Sequence, residues 1–475
     1  MHQTITLAMI VRNEARHLAK CLDSVQALVD EIVIVDTGSN DNTLEIARRY
    51  TDHTFIFTWT GDFSAARNFA IAQATGDWIL SLDADEELEI SPNSSPVDNR
   101  PGPAHDFLQT LLTQNDRIEA YMLPLLNPSA GPVGETNRFL VLRLFRNDSR
   151  YQFSGSIHEQ VTVPDRQAVG IAENFVIRHQ PLTPDELRRK RGRNLAMLRK
   201  ALAAEPDNLF LIYYLGLEWL MLGQPARALP CLSKAYQELT GDYLLFRAPA
   251  LRHLLICLHA LGRLDEAICL CLEASCQYPA FTDIYYLAGV LFEEKQEYAL
   301  AVKWLTEAIK CGTPPLVFNH MSGSGSFLAY YHLGYCQEQL GQPDAAQAAY
   351  EAALAANPKY LYPINHLCTL LIALRGPRET LCYLQEKGYT GDKGMALTIA
   401  KLLFMAGFPD SACSFLEESD LNNINRPVPD QPSILQELLA LNGKANQLRQ
   451  VMTSKFGLTP KDLFRSAYTG ENGLC

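Results

Sequence analysis

Apolar positions in the first ninety residues fall in short unbroken runs, separated by amphipathic stretches. Ile5-Thr6-Leu7-Ala8-Met9-Ile10-Val11 and Glu31-Ile32-Val33-Ile34-Val35-Asp36 read as strands buried on both faces, since neither run alternates with polar residues. Between them, residues 15–28 place Leu18, Cys21, Leu22 and Val25 at helical spacing. The turn Thr37-Gly38-Ser39-Asn40-Asp41 leads to a helix over 42–50, with Asn40 or Asp41 as its cap. Phe55-Ile56-Phe57 is a third strand, and Asp62 caps a helix over 63–74. The strand from Asp77 through Trp78, Ile79 and Leu80 then ends in Ser81-Leu82-Asp83-Ala84-Asp85-Glu86-Glu87. Strands alternating with helices in this order predict an α/β domain built on a doubly wound, largely parallel sheet.

The pattern changes twice further on. After a Pro- and Ser-rich stretch at 91–103, segments 117–125, 139–145, 151–163 and 174–179 read as closely spaced strands. Thr183-Pro184-Asp185-Glu186 then opens a helix by its cap and first-turn acids. It carries Leu187-Arg188-Arg189-Lys190-Arg191-Gly192-Arg193, read as a solvated helix face near phosphates or the acidic rim, without the aromatics of a nucleic-acid site. Beyond Pro206 small residues recur at fixed offsets: Gly216, Gly223 and Ala228; Gly262, Ala267 and Ala274; Gly289, Ala301 and Ala308; Gly334, Gly341, Ala346 and Ala353. These are the offsets of tetratricopeptide repeats, in which small residues let paired helices approach. Inserts at 240–246 and 313–326 make the period uneven, and Gly323-Ser324-Gly325-Ser326 reads as a flexible inter-repeat loop. The expected division is 1–180 for the α/β domain and 181–206 for a linker helix. An all-α solenoid follows at 207–420, with four clear repeats to about 358 and two degenerate ones, then a C-terminal helical cap at 421–475.

Composition narrows the function classes. With 475 residues, two or three domains are expected. A net charge of -12 argues against bulk affinity for nucleic acid or anionic membrane. No apolar run approaches the ~20 residues that span a bilayer, so no transmembrane segment is expected. The N-terminal residues lack a signal-peptide pattern. Twelve cysteines without a C-x-x-C pair fit reduced thiols in a cytoplasmic protein.

The chemistry sits where strands end. An Asp-x-Asp at the lip of a buried strand, Asp83 and Asp85, can hold a hard divalent cation that keeps positions open for phosphate oxygens. Asp36, followed by small and hydroxylated residues, can accept hydrogen bonds from a base or ribose, and the Arg67 guanidinium can meet a diphosphate. No G-x-G-x-x-G follows the first strand, so this is not a dinucleotide fingerprint.

Four segments together, Ala8-Met9-Ile10-Val11-Arg12-Asn13-Glu14, Val33-Ile34-Val35-Asp36-Thr37-Gly38-Ser39, Asp62-Phe63-Ser64-Ala65-Ala66-Arg67-Asn68 and Asp77 to Glu86, resemble family 2 glycosyltransferases of the GT-A fold. The resemblance is to the branch that carries tetratricopeptide repeats and includes the sublancin-type peptide glycosyltransferases. It implies a metal-dependent, inverting transfer of a sugar from a nucleotide-diphosphate donor, a UDP-sugar above all, to a peptide, protein or glycan-precursor acceptor. By the same resemblance Asp36, Glu14, Arg67 and Asp83 border the nucleotide, and Asp85 with Asp83 ligates Mn2+ or Mg2+. Ile157-His158-Glu159-Gln160-Val161 resembles the family's acceptor-side segment, which makes Glu159 the candidate base and His158 a further metal-ligand candidate. His179 is a third, although Gln180-Pro181-Leu182 departs from the family pattern that follows this histidine. Association of copies through the repeats is a further expectation. The rival reading is a repeat scaffold for protein–protein interaction whose α/β half has lost catalysis. A nucleotidyltransferase fits less well, because Arg12-Asn13-Glu14-Ala15 is not a Gly-rich basic loop.

Overall fold

A computed structural model describes residues 2–90, 104–128, 136–239, 244–391 and 393–418. The stretch at 91–103, most of the insert that starts at Thr240, and the expected C-terminal cap lie outside the described residues. The chain divides into two compact units, one of residues 1–295 with 307–325 and the other of 296–306 with 326–475.

The first unit opens with β1 (Ile5–Val11), α1 (Leu18–Val25), β2 (Glu31–Asp36), α2 (Thr43–Ala47), β3 (Thr54–Ile56), α3 (Phe63–Ile71) and β4 (Trp78–Leu80). These four strands are mutually parallel in the order β3-β2-β1-β4. The unbroken apolar runs are explained by burial on both sides. Ile5, Leu7, Met9 and Val11 pack with α1 on one face, while Ala8, Val33, Val35 and Ile79 pack with Ala70 of α3 on the other. Such burial excludes water from β1, most of β2 and β4, while the edge strand β3 stays partly exposed, and polar function is left to the strand ends.

The sheet continues with antiparallel and mixed pairings. After β5 (Glu86–Ile90) and α4 (Ala104–Thr113) come β6 (Ala120–Pro128) and β7 (Thr136–Arg146). The two short strands β8 (Phe153–Ser154) and β9 (Gln160–Val161) pair with each other, and β10 (Val169–Ile171) and β11 (Phe175–His179) return to the main sheet. The complete order is β3-β2-β1-β4-β7-β6-β11-β5, so the parallel half is extended by strands running both ways. The segment 151–163, expected as one strand, is instead the β8–β9 ribbon. Its turn uses positive φ at Gly155 (101°) and His158 (52°), conformations that no strand accommodates. Asp62 caps α3 as expected, accepting from the Ala65 N–H at 3.1 Å. The α2 boundary differs: Asn42 is the N-cap residue, and Asp41 acts one position earlier by accepting from the Thr43 N–H at 3.0 Å.

Helix α5 (Pro184–Ala204) starts with a complete capping box between Thr183 and Glu186. Helix pairs α6 (Leu209–Met221) and α7 (Pro225–Glu238), then α8 (Leu244–Ala260) and α9 (Leu264–Gln277), and α10 (Thr282–Glu294) follow in the first unit. After α11 (Tyr298–Cys311), the short strand β12 (His320–Met321) pairs antiparallel with Asn137 and Arg138 of β7. The loop expected to be flexible at 323–326 is therefore tied down. Ser324 is 1% exposed and donates to Asp283 at 2.7 Å, while Asp283 also accepts from the Met321 N–H at 2.9 Å.

The second unit contains α12 (Phe327–Gln339), α13 (Pro343–Ala356), α14 (Tyr362–Arg375), α15 (Pro377–Glu386), α16 (Lys393–Met405) and α17 (Pro409–Glu418). Ala346, Tyr350, Leu367, Leu371, Ile399 and Leu403 share one core. No helix among the described residues is long and apolar enough to cross a membrane.

Candidate active site

From β1 the chain steps outward to β2 and β3, then crosses back to lay β4 on the other side of β1. The strand order reverses there, and in open α/β sheets a crevice opens at the carboxyl ends of the strands at such a point. Glu14 follows β1, Asp36 ends β2, and Asp83 and Asp85 follow β4.

Asp36 is 2% exposed. Its Oδ1 closes a tight turn by accepting from the N–H groups of Gly38 at 2.7 Å and Ser39 at 2.8 Å. Gly38 has φ +106°, which favours glycine at this turn. Oδ2 is buried with no partner, an acceptor the fold leaves for something else.

Asp83 is tied on both oxygens: Oδ1 to Arg67 Nη2 at 2.5 Å and Oδ2 to Arg143 Nη2 at 3.1 Å. Burial would raise its carboxyl, but the two guanidiniums outweigh that and hold it well below the usual carboxylate range. Arg143 also binds the buried Glu86 at 2.8 Å, whose carboxyl burial pushes upward. Arg67 is 7% exposed and reaches Glu159 Oε1 with Nε at 2.5 Å, so it bridges Glu159 to Asp83. Glu159 Oε2 makes no bond to a described residue. Glu14 has no ion pair among the described residues, and burial, then the charges of Asp85 and Asp83, push its carboxyl up to about 8.

Asp85 and His179 come together as a carboxylate–imidazole pair, the chemistry of a metal ligand set, with Lys190 against the same oxygen. Asp85 Oδ2 lies 3.3 Å from His179 Nε2 and 3.5 Å from Lys190 Nζ. His179 Nδ1 donates to the Gln180 carbonyl at 3.2 Å, while Nε2 faces the Asp85 carboxylate, donating to it when protonated and free to ligate when not. The pairing of β11 with β5, which sets His179 opposite Glu86, carries the histidine to this point. The Gln-Pro-Leu departure has a use here as well: the Gln180 Oε1 accepts from buried His17 Nδ1 at 2.8 Å, anchoring the end of β11 to the start of α1.

His158 does not join them. Among the described residues, three clustered metal-binding side chains occur only at His2, Asp30 and His105, away from these acids. The His158 ring stacks on Tyr214 of α6, with centroids 3.7 Å apart and planes 4° from parallel. Burial, with Lys190, Arg191 and Arg193 nearby, pushes it down to about 4, and its Nε2 is buried without a partner.

Sequence reasoning did not single out Arg143, Glu86 or Tyr214 as site residues. Arg143 had a signal, an arginine inside the apolar run Phe139 to Phe145. Tyr214 had none, since aromatics at repeat positions mostly pack.

Residues 6–91 match the family described as Glycosyl transferase family 2, and residues 328–360 match the Tetratricopeptide repeat. A TPR repeat-containing protein of Synechococcus elongatus is 41% identical over 157 residues, covering 33% of this chain and 35% of that protein. The SPbeta prophage-derived glycosyltransferase SunS of Bacillus subtilis is 28% identical over 240 residues, 49% of this chain and 53% of SunS. The lipopolysaccharide core biosynthesis glycosyltransferase LpsC of Rhizobium meliloti is 27% identical over 187 residues, 38% of this chain and 64% of LpsC. The chain thus spans between about a third and two thirds of these relatives. The chain carries a family 2 glycosyltransferase domain at its N-terminal end and a tetratricopeptide repeat among its C-terminal helices.

Proposed function

We propose that this chain transfers a sugar, with inversion, from a nucleotide-diphosphate donor to a peptide, protein or glycan-precursor acceptor, and that a UDP-sugar is the donor. One observation carries the reading. The strand order reverses where ligands bind in open α/β sheets, and the strand ends there carry an unpartnered buried oxygen of Asp36 and the Asp85–His179 pair, which supports a nucleotide-sugar site. The similarity to SunS and LpsC, both named glycosyltransferases, supports it. The repeat supports an acceptor or partner that is itself a polypeptide.

Each residue then has a task. Asp36 Oδ2 accepts an N–H of the base, and Glu14 borders the nucleotide. Asp85 and His179 would hold Mn2+ or Mg2+, which supplies positive charge against the charge that develops on the departing diphosphate. Asp83 keeps Arg67 and Arg143 in place. The acceptor nucleophile bonds to the anomeric carbon as the bond from that carbon to the diphosphate oxygen breaks. Its proton passes to Glu159, whose Oε1 is held by Arg67 while Oε2 remains available.

Donor turnover with Mn2+ tests this. Asp85→Ala is expected to lower turnover by about 100-fold or more while leaving the melting profile intact. Full activity in that variant would remove the metal from Asp85. Nucleotide binding by the unaltered chain with no transfer to any acceptor would favour the scaffold reading.

A further inference from the structure

The acids of the site outnumber the arginines that answer them. Asp83, Glu86 and Glu159 share Arg67 and Arg143, so neither arginine is left over for a further anion, and the charge of Asp85 is felt at Glu86. A diphosphate adds further negative charge to this recess, and a single divalent ion on Asp85 balances only part of it. Two cations nearby are not committed in this way. Both stand on α5, three residues apart and so on one face.

Lys190 Nζ reaches Asp85 Oδ2 by a long 3.5 Å contact and is 38% exposed. The Arg193 guanidinium lies 5.1 Å over the Phe63 ring, and its Nη2 bonds only to Asn194 Oδ1 at 3.3 Å. Among the described residues no carboxylate is within ion-pair distance of Arg193. Of the neighbouring basic residues, Arg191 is paired with buried Glu218 at 3.0 Å, Arg188 lies 3.4 Å from Asp185, and Arg189 is exposed. Burial lowers Arg193 against the opposing charges of Asp83, Glu14, Asp85 and Glu159, which act on it from beyond ion-pair distance. A second feature points the same way. His158 Nε2, beside these same cations, is buried with no partner.

We propose that Lys190 and Arg193 form the cationic half of the diphosphate site, so that the helix leaving the sheet domain completes the donor pocket. This rests on the nucleotide-sugar reading above. A divalent ion on Asp85 would displace the long Lys190 contact and turn the ammonium toward phosphate oxygens. Arg193, with its guanidinium carbon over the Phe63 ring, offers its remaining N–H groups to a second phosphate.

Calorimetric titration of the full chain with UDP, uridine and pyrophosphate, with Mn2+ and with EDTA, tests the assignment. Lys190→Gln with Arg193→Gln should weaken UDP binding by about 10- to 100-fold, leave uridine unchanged, and flatten the salt dependence of UDP binding. Arg193→Lys in the presence of Lys190 should keep part of the affinity. Arg188→Gln, which removes an exposed charge from the same helix, should bind UDP as the unaltered chain does. Melting profiles establish that each variant is folded. UDP binding by the folded double variant equal to that of the unaltered chain would overturn the proposal and leave the function standing. So would loss of uridine binding in step with UDP. If the unaltered chain binds no UDP, GDP or ADP under any condition, the functional reading fails, and this assignment with it.

Discussion

Arg67 shows how one side chain holds a site together. Its burial is tolerable only because Glu159 and Asp83 both accept from it, and each of those carboxylates depends on it in turn. Removing one partner of a buried ion pair leaves the others desolvated and uncompensated. Arg67→Ala is therefore expected to destabilise the fold by about 3–5 kcal/mol, read as a lower urea midpoint at unchanged slope. A loss under 1 kcal/mol would mean that water already screens the bridge. The residue scale also separates what type and position reveal from what they conceal. Asp36, Asp83 and Asp85 were legible because an acid at the end of an apolar strand is anomalous. That Asp83 spends both oxygens on arginines was not, because Arg143 comes from a strand sixty residues away.

At the scale of elements, the same substitution should have opposite signs in two helices. Gly334 of α12 faces α13, and a Cβ there would stand 2.7 Å from the buried Tyr350 ring. Ala gains about 1 kcal/mol of helix propensity over Gly, while overpacking against a ring that cannot move costs about 1–3 kcal/mol. With the Cβ inside 3 Å of the ring the clash outweighs the gain, and Gly334→Ala should lower stability by up to about 2 kcal/mol. Gly192 of α5 has no atom within 4 Å of such a Cβ, so Gly192→Ala should raise stability by about 0.5–1 kcal/mol. Equal shifts for both in denaturant unfolding would show that close approach does not set the helix pairing. The repeat pattern was readable because that approach demands a small residue at a fixed offset. The strand β12 was not, since two residues in an insert show no period, and its hold comes from Asp283, Ser324 and the β7 edge.

For the molecule as a whole, the first compact unit includes helices well beyond the strands. Ile157 packs with Leu198 and Leu211, His158 stacks on Tyr214, and β12 extends β7. A fragment ending at residue 206 lacks Leu211, Tyr214 and β12. It should melt several degrees below a fragment ending at 325, since a loss of about 1 kcal/mol shifts the melting temperature of a domain of this size by roughly 2–4 °C. Equal melting temperatures would show that the sheet domain stands without the helices that follow.

The chain's own order of residues determined the kind of each element and the places where chemistry can occur. Two-faced burial requires unbroken apolar strands, and polar function is then confined to their ends. Repeat offsets likewise marked the helical array. Only the tertiary structure decided which charges meet: Arg143 with Asp83, His179 and Lys190 with Asp85, Tyr214 with His158. The physical reason is range. Periodicity records contacts between near neighbours in sequence, whereas these partners lie from about 56 to 105 positions apart and meet only once the sheet and the following helices have packed.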